Sequence, residues 1–148
     1  MAMKQEDHLA FATIEDLAAL LAKRKISPVE LTELFLRRIE RHNPGLNAFL
    51  TVTREQAMAS ARRAEKEFSR NRRASKRHHP LLGIPISLKD NLWTRGIRTT
   101  AGSKILRDFV PTADATATRK LARAGAILLG KTNMHEFEIG RASCRERV

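Results

Sequence analysis

Two short apolar runs, Gly83-Ile84-Pro85-Ile86-Ser87-Leu88 and Ala126-Ile127-Leu128-Leu129, constrain this chain more than any other feature. Each is too short for a helix and is bounded by glycine or polar residues, the pattern of a buried strand. Between them lies a loop rich in glycine and threonine, KDNLWTRGIRTTAGSK. It is followed by ADATATRKLARAG, which reads as a helix near 115–124 with Asp114 as N-cap and Gly125 as its stop. Strand, crossover, helix, strand is one βαβ unit, so residues 83–88 and 127–131 are predicted to pair in parallel. In α/β proteins the loops leaving the C-terminal ends of such strands carry the chemistry. Lys89 and Asp90 stand at one of these ends, and Lys131, Thr132 and Asn133 at the next.

The second run overlaps a competing motif. GAILLGKT, residues 125–132, fits the phosphate-loop pattern G-x-x-x-x-G-K-S/T letter for letter. A phosphate loop needs a strand before it, a helix after it, and backbone N–H groups free to wrap the phosphates. Here a helix comes before, and the residues between the glycines include three bulky aliphatics suited to a core strand. The context is inverted, and the nucleotide reading fails.

The first half of the chain reads as helical. Thr13 with Glu15 and Asp16 resembles a capping box ahead of IEDLAALLAKRK. Ser27-Pro28-Val29-Glu30 is a stronger start, with serine at N-cap, proline at the first helical position and glutamate three residues on. That helix is predicted to carry Leu31, Leu34, Phe35 and Ile39 on one face and to stop at Asn43-Pro44-Gly45. LNAFLTV, residues 46–52, reads as extended, and Thr53 with Gln56 opens a third helix whose inner face is mostly alanine.

Composition narrows the function. With 148 residues, 42% hydrophobic and 30% charged, the chain is a soluble globular type in which no apolar run nears membrane-spanning length. The start, MAMKQEDHLA, lacks the basic and apolar segments of a signal peptide. One cysteine, Cys144, excludes an internal disulfide framework and points to the cytoplasm. The five histidines, at 8, 42, 78, 79 and 135, have no partners at metal-site spacing, so no metal is expected. The formal charge of +12 raises a nucleic-acid reading, carried by residues 62–79 with eight Lys or Arg against two Glu. Only Phe68 interrupts these charges and no nucleic-acid signature accompanies them, so a solvated helix end and loop is the preferred reading. A basic nucleic-acid-binding module stays as the alternative from a different class.

Lys89 follows a largely apolar run and so stands at the rim of a buried sheet. A lysine there either extends into solvent or is desolvated, its neutral amine then able to take a proton from a serine hydroxyl. Ser87 and Ser103 are the nearby hydroxyls. Ser87 alternates with Leu88 in the strand and reads as packed or backbone-bonded, and neither serine has a glycine-rich turn of the oxyanion-hole type.

The blocks GIPISLKDN, TTAGSK and GAILLGKTNMHEF, with the helical SPVELTELFLRRIERHNPGLNAFLTV before them, resemble the amidase signature family over about 125 residues. The resemblance implies an α/β fold with N-terminal helices, followed by the start of a mixed, mainly parallel sheet with flanking helices. It also implies hydrolysis of a carboxylic amide by a Ser–cis-Ser–Lys triad, with no metal or organic cofactor. Lys89 matches the family's catalytic lysine, and Asp90 and Asn133 match positions beside the site with a supporting role. Both triad serines belong to a segment downstream of TNMHEF that is absent here, and the family domain is roughly three times longer. The substrate class is a small-molecule amide, with no membrane and no nucleic acid expected. A related reading is the amidase subunit of the tRNA-dependent amidotransferase, whose partners are other subunits and charged tRNA. The histidine in TNMHEF leans toward the general amidases, which would act alone or as a homodimer.

The domain organisation expected is an N-terminal helical region with a basic linker over 1–79 and the first part of the α/β core over 80–138. The last ten residues, IGRASCRERV, back-translate as ATC GGA AGA GCG TCG TGT AGG GAA AGA GTG, which resembles a widely used short-read sequencing adapter. Native sequence is therefore expected to end near residue 138, with 139–148 an artefact. A fragment of this kind is expected to fold poorly alone and to lack amidase activity, because its truncated sheet leaves edges and an apolar face uncovered.

Overall fold

The computed structural model describes residues 8–70 and 79–138. His78, Cys144, most of the basic run's second half and the tail 139–148 lie outside the described residues. Helix α1 spans Ile14–Ala22, α2 Pro28–Leu46, α3 Arg54–Arg70 and α4 Thr116–Arg123; strand β1 spans Phe49–Val52, β2 Pro85–Lys89 and β3 Ile127–Thr132.

The first two helices start where local chemistry dictates. The Asp16 N–H donates to Thr13 Oγ1 at 3.1 Å. At α2 the reciprocal box is closed: the Glu30 N–H donates to Ser27 Oγ at 3.1 Å, and the Ser27 N–H donates to Glu30 Oε2 at 2.8 Å. Both bonds satisfy N–H groups that no helical carbonyl reaches. Ser27→Ala is expected to cost about 1 kcal/mol, read as a lowered urea midpoint at unchanged slope.

The end of α2 differs from its sequence reading. The helix runs through Pro44 to Leu46 and closes at Asn47, which takes a left-handed conformation (φ 47°) and donates its N–H to Asn43 O at 2.7 Å. Proline removes only one helical bond in this last, exposed turn. Asn43 compensates from the side, donating Nδ2 to Phe49 O at 3.0 Å and accepting the Phe49 N–H at 2.7 Å. That clamp turns the chain directly into β1.

The sheet has the order β1-β3-β2. The βαβ reading holds, since β2 pairs with β3 in parallel, while β1 adds to the other side of β3 antiparallel. Two partners expected from local pattern are exchanged for distant ones. Thr53 does open α3, but its hydroxyl donates to Leu128 O at 2.8 Å and its N–H to Leu129 O at 2.9 Å, tying the helix start to β3. Asp114 is not the N-cap of α4. Its Oδ1 accepts the Arg95 N–H at 2.7 Å, and Ala115 occupies the cap with no side-chain bond. In both cases the tertiary partner offers the same hydrogen bond and also fixes a loop.

Two apolar clusters fill the space between helices and sheet. Leu17, Leu21, Leu31, Ala64, Phe68, Leu82 and Ile84 form one; Leu36, Ala57, Ala61, Ile127 and Leu129 form the other. The alanines of α3 matter here because a small inner face lets the helix lie close on β3 and α2. GAILLGKT is a helix end and a core strand, as its order of glycine and apolar run predicts. Gly125 has φ +83°, and a Cβ there would come within 2.6 Å of Leu82 Cδ1. Among the described residues β2 pairs on one side only. Beside it lies an open, mostly apolar cavity of about 320 Å³ lined by Phe35, Ile39, Leu46, Phe49, Ile86 and Leu129.

Candidate active site

Strands β2 and β3 end side by side, with Lys89 in register with Thr132 and Leu88 with Lys131. Beyond them the Asp90 N–H donates to Thr132 O at 3.1 Å, and the chain turns sharply as the Leu92 N–H donates to Lys89 O at 3.0 Å. It then makes an excursion and returns at residues 99–102, where the Ala101 N–H donates to Asp90 O at 3.0 Å.

The interior of this loop is held by charge. Asp90 and Lys131 are both fully buried, at 0% exposure. Lys131 Nζ donates to Leu92 O and Thr99 Oγ1, each at 2.8 Å, and lies 3.5 Å from Asp90 Oδ1. Asp90 Oδ2 accepts the Thr100 N–H at 2.8 Å and the Thr100 hydroxyl at 2.5 Å. Burial pushes the Lys131 ammonium below the ordinary lysine range, and the Asp90 carboxylate opposes that shift. Removing either partner of such a pair leaves an uncompensated buried charge.

A register slip aims Lys131 at the loop. Ile86 pairs with Leu128 but Ser87 pairs with Gly130, so Leu129 is skipped. Simple alternation would set residue 131 on the same face as Ile127 and Leu129, toward the helices. The slip resets that alternation, as bulges next to functional sites commonly do.

The sequence-predicted residues fare differently. Lys89 does lie at the end of a parallel strand, but its side chain is 45% exposed and its Nζ is 2.7 Å from Glu138 Oε1. Of the two alternatives open to it Lys89 here takes the exposed one, and of the two strand-end lysines it is Lys131 that is fully shielded. The signal that could have marked Lys131 was the acidic Asp90 directly after the neighbouring apolar strand, since a buried lysine needs such a partner. Asn133 serves the corner after β3: its N–H donates to Ala48 O at 2.8 Å, and its Nδ2 to Asn47 O at 3.0 Å. Ser87 is exposed rather than packed. Ser103 is buried and committed elsewhere, its hydroxyl donating to Glu136 Oε1 at 2.5 Å and accepting the Ile105 N–H at 3.2 Å. Neither serine bonds Lys89. Among the described residues no group of three or more His, Cys, Asp or Glu is arranged to hold a metal ion. No described helix is long and apolar enough to cross a membrane.

Comparison with known proteins shows the family of the chain. The profile of the family described as Amidase matches residues 30–146. The chain is 47% identical over 131 residues to a glutamyl-tRNA(Gln) amidotransferase subunit of Thioalkalivibrio sulfidiphilus (strain HL-EbGR7), covering 88% of this chain and 26% of that protein. It is 48% identical over 131 residues to the corresponding subunit of Azotobacter vinelandii (strain DJ / ATCC BAA-1303), with the same coverage, 88% and 26%. Among solved structures, an amidase family protein from Bacillus anthracis str. Ames superposes with a TM-score of 0.79 at 35% identity, over 90% of this chain and 26% of that one. The native peptide amidase of Stenotrophomonas maltophilia superposes with a TM-score of 0.76 at 35% identity, over 86% and 26%. The chain thus spans about a quarter of the length of the relatives it matches. By sequence and by fold this chain belongs to the amidase family.

Proposed function

We propose that the complete protein to which this chain corresponds hydrolyses a carboxylic amide, with Lys89 as the base of a Ser–cis-Ser–Lys triad. The observation that carries this reading is the place of Lys89: the C-terminal end of a parallel strand, in a chain whose family is that of amidases. Both serines would come from the larger part of the relatives that this chain does not span. In this scheme neutral Lys89 accepts the proton of a bridging serine, which deprotonates the nucleophilic serine. The nucleophile adds to the amide carbonyl, backbone N–H groups stabilise the oxyanion, and the C–N bond breaks with a proton delivered to the leaving amine. Water then cleaves the acyl ester and restores the serine. For this, Lys89 has to leave the Glu138 contact and has to be covered from solvent. The remaining chain would supply that cover. Asp90 supports the site from below the loop, and the reaction needs no metal or organic cofactor.

A second reading is favoured by the 47–48% identity to amidotransferase subunits, against 35% to the two amidases of known structure named above. Under it the amide is glutamine and the partners are further subunits and charged tRNA. Both readings are tested by offering the complete purified protein glutamine and a simple aryl amide and measuring the released amine. Release from the aryl amide by the protein alone supports a general amidase. Glutamine hydrolysis that appears only with co-purified partner subunits supports the second reading. Absence of cleavage under every condition removes both.

A further inference from the structure

We propose that Asp90 and Lys131 form a positioning pair that sets the Lys89 amine, an inference that rests on the reading of Lys89 as the base. Nothing in the apolar packing requires a charge at residue 131, because a well-packed apolar side chain there is often as stable as a buried ion pair. What the charge provides is reach. From one point in β3, Lys131 Nζ holds Leu92 O and Thr99 Oγ1 and faces Asp90 Oδ1. Those three contacts take both ends of the 90–102 excursion. Asp90 repeats the closure with its other oxygen on Thr100 and its carbonyl on the Ala101 N–H.

Lys89 hangs on this frame through its backbone. Its carbonyl accepts the Leu92 N–H, and the next residue is Asp90 itself. The turn that aims the Lys89 side chain is therefore built from two residues that Lys131 also contacts, Asp90 and Leu92. Asp90 Oδ1 has no hydrogen-bond partner and faces Lys131 at 3.5 Å, so the two are coupled by charge across a short gap. A neutral replacement of either residue leaves the other buried without its counter-charge, and the turn relaxes. A displacement of the base by about 1 Å is enough to cost on the order of 100-fold in rate.

The test uses the complete protein and the amide it cleaves, with Asp90→Asn, Lys131→Met and the double variant, and activity normalised to the folded fraction from near-UV circular dichroism. Each single variant is expected to lower kcat roughly 10- to 100-fold with KM within about threefold, as loss of an interaction felt in the transition state does. The double variant is expected to be no worse than the more damaging single one, because the two residues act as a unit. Wild-type kcat in the single variants, losses that multiply in the double, or losses explained wholly by unfolded protein would each overturn the pair. Should the single variants fail to fold, Thr100→Val, which keeps the shape but removes the hydroxyl bonded to Asp90, is expected to lower kcat about tenfold. Wild-type kcat in that variant overturns the proposal as well. Lys89→Ala is measured in parallel. If it stays active, the base reading falls and this inference with it; if it is inactive while the pair variants keep wild-type kcat, only the positioning falls.

Discussion

Lys89→Ala in the complete protein is expected to lower kcat/KM for the amide by about 10,000-fold or more, the loss seen when a member of a hydrolytic triad is removed. In the chain described here the Lys89 side chain is 45% exposed and its ion pair to Glu138 is a surface contact, of a kind whose typical worth is about 0–1 kcal/mol, so the substitution is expected to cost this part of the protein little stability. Lys89→Arg separates two roles that alanine cannot. Arginine keeps the positive charge but does not give up its proton, so a base is lost as completely as with alanine, whereas a purely electrostatic role would be largely retained. The measurement is kcat/KM beside a thermal melt for each variant. An alanine variant within tenfold of wild type, or an arginine variant with near-normal turnover, would remove Lys89 from its assigned role.

Gly130→Ala is expected to be the most damaging conservative change in the sheet, costing about 3 kcal/mol or more. A Cβ at this position would overlap the carbonyl oxygen of Thr51, lie 3.0 Å from Phe49 Cδ1 and lie 3.1 Å from Val52 Cα. Two of those three atoms are backbone, so no side-chain rotation relieves the crowding. β1 would have to lift from β3, putting at risk the Thr53 N–H bond to Leu129 O and the start of α3 that this bond anchors. Arg98 also depends on that edge, since it donates to Leu50 O at 2.7 Å. A denaturation midpoint equal to that of the wild type would show that β1 moves freely and that the close approach is incidental.

Much of this architecture was legible in the sequence. Ser27-Pro28-Val29-Glu30 had to start a helix, because every group in its capping box lies within four residues of its partner. Gly125 had to end one, and the aliphatics after it had to be buried, which is why the phosphate-loop motif could be dismissed. The parallel pairing of β2 with β3 followed from the order of strand, helix and strand, since a crossover has few ways to close. Lys89 and Asp90 were placed at a strand end by the same logic.

Tertiary structure decided wherever a polar side chain had a choice between a near and a distant partner. Asp114 caps nothing because the Arg95 N–H lies within reach, and Thr53 turns to β3. Pro44 passes through a helix it was expected to end, because Asn43 clamps the following strand from outside. Which of two strand-end lysines would be buried was the least legible point. Burial there depends on a one-residue register slip at Leu129 and on a loop that returns 10 residues later to meet Asp90. Short-range rules act through bonds the chain cannot avoid making, whereas the fate of a long charged side chain depends on which distant groups the fold brings within about 3 Å of its tip.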